Sequence, residues 1–326
     1  MSRVMFWRGL RIAALAWLAA VAVTSAAPAA GFPDRPISLK LGFSPGGSSD
    51  ISARAFLKFF EKYLPPGSTV VVDYRPGADG IIMYRDLAAA PPDGYNLGLL
   101  VSPNAIAALH ERADLHYDLN SYDYLGQLMA DYATLTVAKD SRFKTLKEML
   151  EWARQNPKKL SIGVTGLSGI YIPIREMFAK AGAEVTFVPF KGGGDLSAAL
   201  MGDHIDASGV NLTSATTYTG AQRVLAVFSE QRLQGLEDVQ TVRENGIDLV
   251  AVTNRGIVAP RGLPGDVRKI LVDAIGKAAQ DPDYHAVLRK NALTPAYLAL
   301  DDYKKYVQSV YQQYGEIWKR SPWSAQ

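Results

Sequence analysis

Strand-like and helix-like segments alternate along most of this 326-residue chain, and this alternation limits the possible fold more than any other feature. The strand-like segments are short and rich in β-branched residues, whereas the segments between them have apolar residues at helical spacing. We predict strands at 38–43, 69–73, 97–101, 134–138, 160–164, 185–189 and 224–228. We predict helices at 50–63, 146–155, 174–181, 195–201, 264–280 and 301–319. This order is typical of α/β folds with parallel strands, and the length allows two domains.

The first thirty residues have a different pattern. Three arginines precede an apolar stretch at 12–23, and small residues follow at 24–30. This is the layout of a secretory signal, with cleavage expected after Ala29. An apolar stretch of about a dozen residues is shorter than the roughly 20 that a spanning helix needs. We therefore predict that residues 1–29 direct export and are removed, rather than anchoring the chain in a membrane.

Charge and residue types exclude several classes of function. Removal of the signal takes away Arg3, Arg8 and Arg11, which leaves 32 basic and 32 acidic residues. No basic stripe with interleaved aromatic residues is present, so we expect no nucleic acid partner. The chain has no cysteine, which excludes disulfides and thiolate chemistry. The histidines are scattered and none has zinc-site spacing, so we expect no metal and no cofactor. They are His110, His116, His204 and His285.

The turn SPGGSSD at 44–50 joins a predicted strand to a predicted helix. A helix N-terminus has unpaired N–H groups and a partial positive charge, and glycine allows close approach of a ligand. The turn lacks the GK[ST] of a phosphate loop and the G-x-G-x-x-G of a dinucleotide site. It also lacks the G-x-S-x-G of a nucleophile elbow. Two interpretations remain at this stage, which are an anion-binding turn and an ordinary helix cap.

A similar order of features occurs again at 162–175. The segments LGFSPGGSSDISAR and IGVTGLSGIYIPIR each contain a strand glycine, a Gly/Ser turn and an arginine on the following helix. Gly42 and Gly163 are 121 positions apart, and so are Arg54 and Arg175. If the two segments are structurally equivalent, two similar domains each present such a loop. Two loops that face each other would form a cleft.

Several stretches together resemble one family, the periplasmic substrate-binding proteins of tripartite tricarboxylate transporters, also called Bug receptors. They occur in family order and are FPDRPI (32–37), PGGSSDISAR (45–54), RPGADG (75–80), PPDGYNL (91–97), HYD (116–118), VPFKGGGDLSAALMGDHID (188–206), Arg232 with ENG (244–246), and AP (259–260). The resemblance implies a two-domain receptor whose cleft closes on a small carboxylate and delivers it to a membrane permease. It also implies that backbone amides, hydroxyls and waters hold the carboxylate.

The resemblance further implies a set of ligand-binding residues from two strand-to-helix loops and neighbouring segments. In the first loop these are Phe43, Ser44, Gly46, Gly47, Ser48, Ser49 and Asp50. In the second loop they are Thr165, Ser168 and Gly169. Further segments that the family places at the cleft contribute Ser102, Asn104, Gly193 and Asp206.

The chain also departs from the family pattern. Asp79 and Ile81 replace a glycine and an asparagine of the usual RPGAGGN, and Ile172 lies near the position of a usual histidine. Asn254 and Arg255 precede Gly256, where the family usually has an aromatic residue. If the chain returns to the first domain here, Arg255 lies beside the cleft. One hypothesis is that it binds the second carboxylate of a diacid, and the alternative is that it braces the hinge or faces solvent.

The sequence therefore predicts an α/β periplasmic binding protein of the two-domain, type II-like, Venus-flytrap class with two hinge-crossing strands, near 127–137 and 250–258. Domain 1 is predicted to comprise 30–131 and 254–326, and domain 2 to comprise 132–253. We expect a monomeric, non-enzymatic receptor in the periplasm that passes a small carboxylate to permease subunits of a tripartite tricarboxylate transporter. The alternatives are a secreted serine hydrolase that uses Ser48 or Ser168, and a ligand-sensing receptor for a membrane signalling protein.

Overall fold

The computed structural model describes residues 31–166, 169–190, 193–217 and 220–323. The predicted signal segment and Ser168 lie outside these described residues.

Ten strands and ten α-helices are present in the described residues. The strands are β1 (Ile37–Leu41), β2 (Val70–Tyr74), β3 (Asn96–Ser102), β4 (Tyr122–Ala138), β5 (Ser161–Thr165), β6 (Thr186–Phe190), β7 (Ala207–Asn211), β8 (Gln222–Val227), β9 (Val252–Pro260) and β10 (Thr294–Ala299). The helices are α1 (Ser48–Tyr63), α2 (Ile81–Ala88), α3 (Asn104–Glu111), α4 (Leu146–Gln155), α5 (Tyr171–Lys180), α6 (Gly193–Met201), α7 (Leu212–Thr217), α8 (Gly265–Gln280), α9 (Pro282–Lys290) and α10 (Leu300–Arg320).

The long strand β4 joins two sheets. In the first sheet the strand order is β2-β1-β3-β9-β4, and β10 also pairs with β4. In the second sheet the order is β4-β7-β5-β6, and β8 also pairs with β4. Tyr132 of β4 is paired with Val252 of β9, whereas Ala133, the next residue, is paired with Asn211 of β7. The chain therefore leaves the first sheet along β4 and returns to it along β9.

Each sheet contains the same three-strand unit. β1 lies between β2 and β3 with parallel pairing, and β5 lies between β6 and β7 in the same way. A helix follows the central strand in both units, so the two Gly/Ser segments occupy equivalent places. Their alignment differs from the prediction, because Leu41 and Thr165, which end the two central strands, are 124 positions apart rather than 121.

The sheets are mixed rather than wholly parallel, which differs from the expectation drawn from the alternating pattern. β9 runs antiparallel to both β3 and β4, and β7, β8 and β10 run antiparallel to β4. These pairings arise where the chain crosses between the sheets. The elements without a predicted counterpart are β7, β10, α2, α3, α7 and α9, whereas β9 lies where the second hinge-crossing strand was predicted.

The two sheets have separate cores. In the first, Met83 and Leu87 of α2 pack with Tyr303 and Val307 of α10 around Leu100 of β3. In the second, residues from α4 and α5 pack on β4, β5 and β7. Their contacts include Met149, Leu150, Ile162, Ile174 and Met177. Tyr303 and Tyr314 of the C-terminal helix α10 are also buried in the first core.

Candidate functional site

The carboxyl ends of the parallel strands carry the loops that the sequence singled out. The loop at 42–47 follows β1 and leads into α1, and the segment at 166–170 follows β5 and leads into α5. In open α/β sheets, ligands bind outside the carboxyl ends of the strands. The two Gly/Ser loops are thus at the edge of each sheet where a ligand site is expected.

Three close approaches bring the two edges together. Nδ2 of Asn211, at the end of β7, lies 3.4 Å from Oγ of Ser48. A methyl group added at Gly166 would lie 2.2 Å from Oδ1 of Asp79, and one added at Gly169 would lie 2.6 Å from the amide of Asn104. Loops of the first sheet and loops of the second sheet therefore face each other across a narrow cleft.

The first loop is held in place by the buried carboxylate of Asp50. It accepts hydrogen bonds from the backbone N–H of Gly46 (2.9 Å), from Nε of Arg54 (2.9 Å) and from the hydroxyl of Tyr74 (2.6 Å). Burial acts to raise the pKa of Asp50, but these hydrogen bonds and the charge of Arg54 outweigh it and lower the pKa below its usual value. The carboxylate is therefore ionised at neutral pH, and its hydrogen bonds hold the loop in place. Asp50 can then donate a hydrogen bond to a ligand only through its backbone N–H.

The N-terminus of α1 supplies hydrogen-bond donors at the cleft. Gly47 is the N-cap residue and provides no side-chain cap. The first backbone N–H groups of a helix have no intrahelical acceptor, and in α1 they belong to Ser48, Ser49 and Asp50. The helix dipole adds a partial positive charge at the same place. This arrangement can bind an anion without a cationic side chain.

Arg255 lies in the floor of the cleft on β9. Its guanidinium is fully buried and forms an ion pair with the equally buried Asp131 of β4, with 3.0 Å between Nη1 and Oδ2. Nη2 donates to Oγ of Ser48 at 2.8 Å. Burial raises the pKa of Asp131, and the charge of Arg255 opposes that rise. The pair joins the two strands that cross between the sheets, and it ties them to the first loop.

Further hydrogen bonds connect this pair to the second sheet. Oδ1 of Asp131 accepts from the backbone N–H of Thr213 at 3.2 Å. The hydroxyl of Thr253 donates to Oδ1 of Asn211 at 3.0 Å, and Asn211 in turn reaches Ser48. The network thus includes the first loop, both crossing strands and the start of α7.

The structure brings most of the predicted site residues to this cleft. Phe43 lies beside Gly80, and Ser102, the last residue of β3, is buried and paired with Asn254. Gly193 begins α6 near Ser214 of α7. These residues, with those of the first Gly/Ser loop, Thr165, Gly169 and Asn104, lie at the carboxyl edges of the sheets.

Asp206 is not brought to the cleft. It precedes β7, and its carboxylate accepts from the backbone N–H and the hydroxyl of Ser161 at the start of β5. Asn211 ends the same strand, so Asp206 lies at the opposite edge of the sheet, about 16 Å away at the usual rise per residue. The resemblance placed Asp206 at the cleft because of its position in a motif, whereas in the structure its carboxylate fastens the starts of β5 and β7.

Sequence reasoning missed Asp131, Asn211 and Tyr74. Asp131 had a usable signal, because a single acid within the apolar run LMADYATL needs a partner if that run is buried. Asn211 ends the short strand ASGVN, whose small residues do not indicate a strand. Tyr74 follows an ordinary strand, and nothing in the sequence connects it to Asp50.

Comparison with known proteins identifies the family. The sequence model described as "Tripartite tricarboxylate transporter family receptor" matches residues 54–321. The chain belongs to this family. It is 31% identical over 298 residues to a UPF0065 protein in the gbd 5′ region of Cupriavidus necator, which covers 90% of each chain.

Solved structures support the fold of the family. A structure described as that of a periplasmic transporter has a TM-score of 0.84 and 27% identity, and the match covers 90% of this chain and 99% of that chain. A protein of R. palustris with adipate has a TM-score of 0.81 and 24% identity, with coverage of 88% and 97%. The predicted two-domain periplasmic binding protein fold is confirmed.

The family also sets the general class of function. Its members are periplasmic solute receptors. Among the residues that the structure describes, no helix has the length and apolar character needed to cross a membrane. The individual ligand-binding residues remain a prediction.

Proposed function

We propose that this chain is a periplasmic receptor that binds a small organic carboxylate between its two lobes and delivers it to the permease of a tripartite tricarboxylate-type transporter. In this proposal one lobe comprises 30–131 and 254–326, and the other comprises 132–253. The observation that carries the proposal is a cleft rich in hydrogen-bond donors, in which the buried guanidinium of Arg255 is already paired with Asp131.

Uncharged donors are sufficient for such a ligand. Four hydrogen bonds to a carboxylate, at about 1.5 to 3 kcal/mol each, give a gross stabilisation of roughly 6 to 12 kcal/mol. The dipole of α1 adds about 0.3 to 1 kcal/mol. Association costs at least about 4 kcal/mol. The difference is compatible with micromolar binding, which needs about 8 kcal/mol.

The contacts of Ser48 favour a receptor over a serine hydrolase. A catalytic serine needs a base that removes its proton. The oxygen of Ser48 instead has Arg255 and Asn211 as partners, and both of them donate to it. His110 and His285 are turned to the backbone carbonyls of Tyr311 and Ala279.

Ligand binding is proposed to stabilise the closed arrangement of the lobes. Donors from the first loop and from the second sheet reach one ligand only when the two edges approach each other. The ligand therefore shifts the population toward the closed form. The same closed surface is what the permease is proposed to recognise, with the receptor acting as a monomer.

The proposal is tested by identifying the ligand. Native mass spectrometry of the purified protein, followed by thermal-shift screening of mono-, di- and tricarboxylates and aromatic acids, should reveal a carboxylate that raises Tm. Adipate is a suitable first probe, since a protein of the same fold was solved with it. Ester turnover that is lost on Ser48→Ala, with no stabilisation by any carboxylate, would contradict the proposal.

Delivery is tested separately. Membranes that contain the cognate permease subunits should retain the receptor in the presence of the identified ligand and release it in its absence. Capture of a membrane sensor kinase in place of the permease would show that the receptor serves signalling rather than transport.

A further inference from the structure

The side chain of Arg255 divides its hydrogen bonds between a charge and a hydroxyl. Nη1 pairs with Oδ2 of Asp131 at 3.0 Å, and Nη2 donates to Oγ of Ser48 at 2.8 Å. Both Arg255 and Asp131 are fully buried. A planar guanidinium can satisfy two partners in fixed directions, which a lysine ammonium does less well. The guanidinium of Arg255 thus directs its Nη2 at Ser48, the first residue of α1.

The hydroxyl of Ser48 accepts two hydrogen bonds. One comes from Nη2 of Arg255, and the other comes from Nδ2 of Asn211 at 3.4 Å. A hydroxyl oxygen has two acceptor positions and one proton. With both acceptor positions occupied, only the proton of Ser48 is left for a further hydrogen bond, and among the described residues none accepts it. The hydroxyl therefore joins the N–H groups of the first turn of α1 as a donor.

We infer that Arg255 is a positioning residue for ligand binding: together with Asn211 it fixes the Ser48 hydroxyl as a donor to the ligand anion, and it does not pair with the ligand itself. This inference rests on the proposed function. A donor whose oxygen already accepts a bond from a cation is polarised, and polarised hydrogen bonds strengthen one another. The ligand group at Ser48 has to be an acceptor, which excludes ammonium and amide N–H groups from that position.

The position of Arg255 on β9 requires a charged partner nearby. An arginine there would be an unpaired buried charge without Asp131 on the neighbouring strand. The two charged residues are thus a matched pair, and Ser48 is the group through which the pair acts on the ligand.

The inference is tested with a double-mutant cycle of Ser48→Ala and Arg255→Lys. Lysine keeps the charge opposite Asp131 but lacks the second nitrogen that reaches Ser48. Calorimetric titration uses two matched pairs of probes, hexanoate with adipate and benzoate with terephthalate, in which the members differ by one carboxylate. Each single variant should raise Kd about tenfold or more for a bound probe. Arg255→Lys should raise Kd by the same factor for both members of a pair, and it should add nothing in the Ser48→Ala background.

A control variant and a second route keep the test decisive. Arg223 donates to the backbone carbonyls of Lys144 and Phe143 away from the cleft, and Arg223→Lys should leave Kd unchanged. If Arg255→Lys does not fold, the double variant Arg255→Gln/Asp131→Asn removes both buried charges together and should again act only through Ser48.

Two results would overturn the inference and leave the proposed function intact. A greater loss for the diacid than for its monoacid would show that Arg255 contacts a second carboxylate. A further loss on Arg255→Lys in the Ser48→Ala background would show that Arg255 acts independently of Ser48. Failure of the unaltered chain to bind any of the four probes or any acid of the wider screen would overturn the proposed function, and the inference with it.

Discussion

Asp50 determines the shape of the first loop through a single carboxylate. Gly46 of the loop, Arg54 one turn along α1 and Tyr74 at the end of β2 all donate to it. Nη2 of Arg54 also donates to the hydroxyl of Tyr74, which closes a ring of three side chains. The loop glycines have no side chains of their own to hold them, so Asp50 supplies the rigidity that the proposed anion site requires.

Asp50→Ala should therefore weaken ligand binding without removing any side chain that contacts the ligand. We expect Kd to rise about threefold to tenfold, because the loop has to be ordered on binding. The free energy of unfolding should also fall by about 1 to 3 kcal/mol, the usual cost of losing charged hydrogen bonds. Titration calorimetry and urea unfolding measure the two effects.

Asp73 provides a matched control for this variant. Its carboxylate also accepts from two basic side chains, Lys40 and Arg75, but it does not contact the loop. Asp73→Ala should lower stability and leave Kd unchanged. Equal effects of the two variants on Kd would mean that Asp50 acts through general stability rather than through the loop.

At the scale of elements, β4 shows where sequence patterns fail. The residue pattern predicted only 134–138 of its seventeen residues as strand, because 124–131 is buried without interruption and has no alternation of apolar and polar residues. Shifts in register near Gly126 and Met129 disturb the pattern further. The two-domain interpretation, by contrast, placed a hinge crossing near 127–137. The helices α4 and α8 were predicted well, because each is amphipathic and packs one face on a sheet. A capping box at Thr145 also marks the start of α4.

The junction of α1 and α9 gives a prediction about acid stability. Oδ2 of Asp281 accepts from Nζ of Lys62 at 2.8 Å and from the hydroxyl of Tyr63 at 2.9 Å, and Oδ1 caps α9 through the N–H of Asp283. The hydrogen bond from Lys62 lowers the pKa of Asp281 to about 2. The folded-state pKa lies below the unfolded value of about 3.9, so the stabilisation is complete above about pH 4 and is lost as pH falls toward about 2.

Asp281→Asn tests this junction. Asparagine is also a good N-cap residue, so mainly the ion pair is removed. We expect Tm to fall by a few degrees at pH 7, and the difference from the unaltered chain to shrink as pH falls from about 4 to about 2. Lys62→Met, which removes the other partner, should show the same pH dependence. A difference in Tm that does not change with pH would rule out the ion pair as its cause.

At the scale of the whole molecule, the repeat in the sequence predicted more of the fold than any single motif did. Two segments with a common order of glycines, serines and arginine indicated two similar domains, and both sheets have the three-strand unit that this requires. The contacts between the sheets were not predictable, because they join residues that are distant along the chain and share no pattern. Arg255 with Asp131 and Gly166 with Asp79 are such contacts.

Gly166 lies where the two edges of the cleft approach each other closely. Its φ of +72° favours glycine, and an added methyl group would lie 2.2 Å from Oδ1 of Asp79 on the opposite edge. Gly182 has a similar φ of +66°, but a methyl group there would have no neighbour within 4 Å. Alanine at either position should cost about 1 to 2 kcal/mol of stability through backbone strain. Only alanine at position 166 also obstructs the approach of the two loops.

Gly166→Ala should therefore raise Kd for the proposed carboxylate ligand about tenfold or more, whereas Gly182→Ala should leave it nearly unchanged. Small-angle X-ray scattering with ligand should give a larger radius of gyration for Gly166→Ala, because the closed form is less populated. Adding Asp79→Gly removes the carboxylate that the methyl group would meet, so the double variant should regain most of the lost affinity. If Gly182→Ala weakens binding equally, or if Asp79→Gly restores nothing, the contact between Gly166 and Asp79 is not what limits closure.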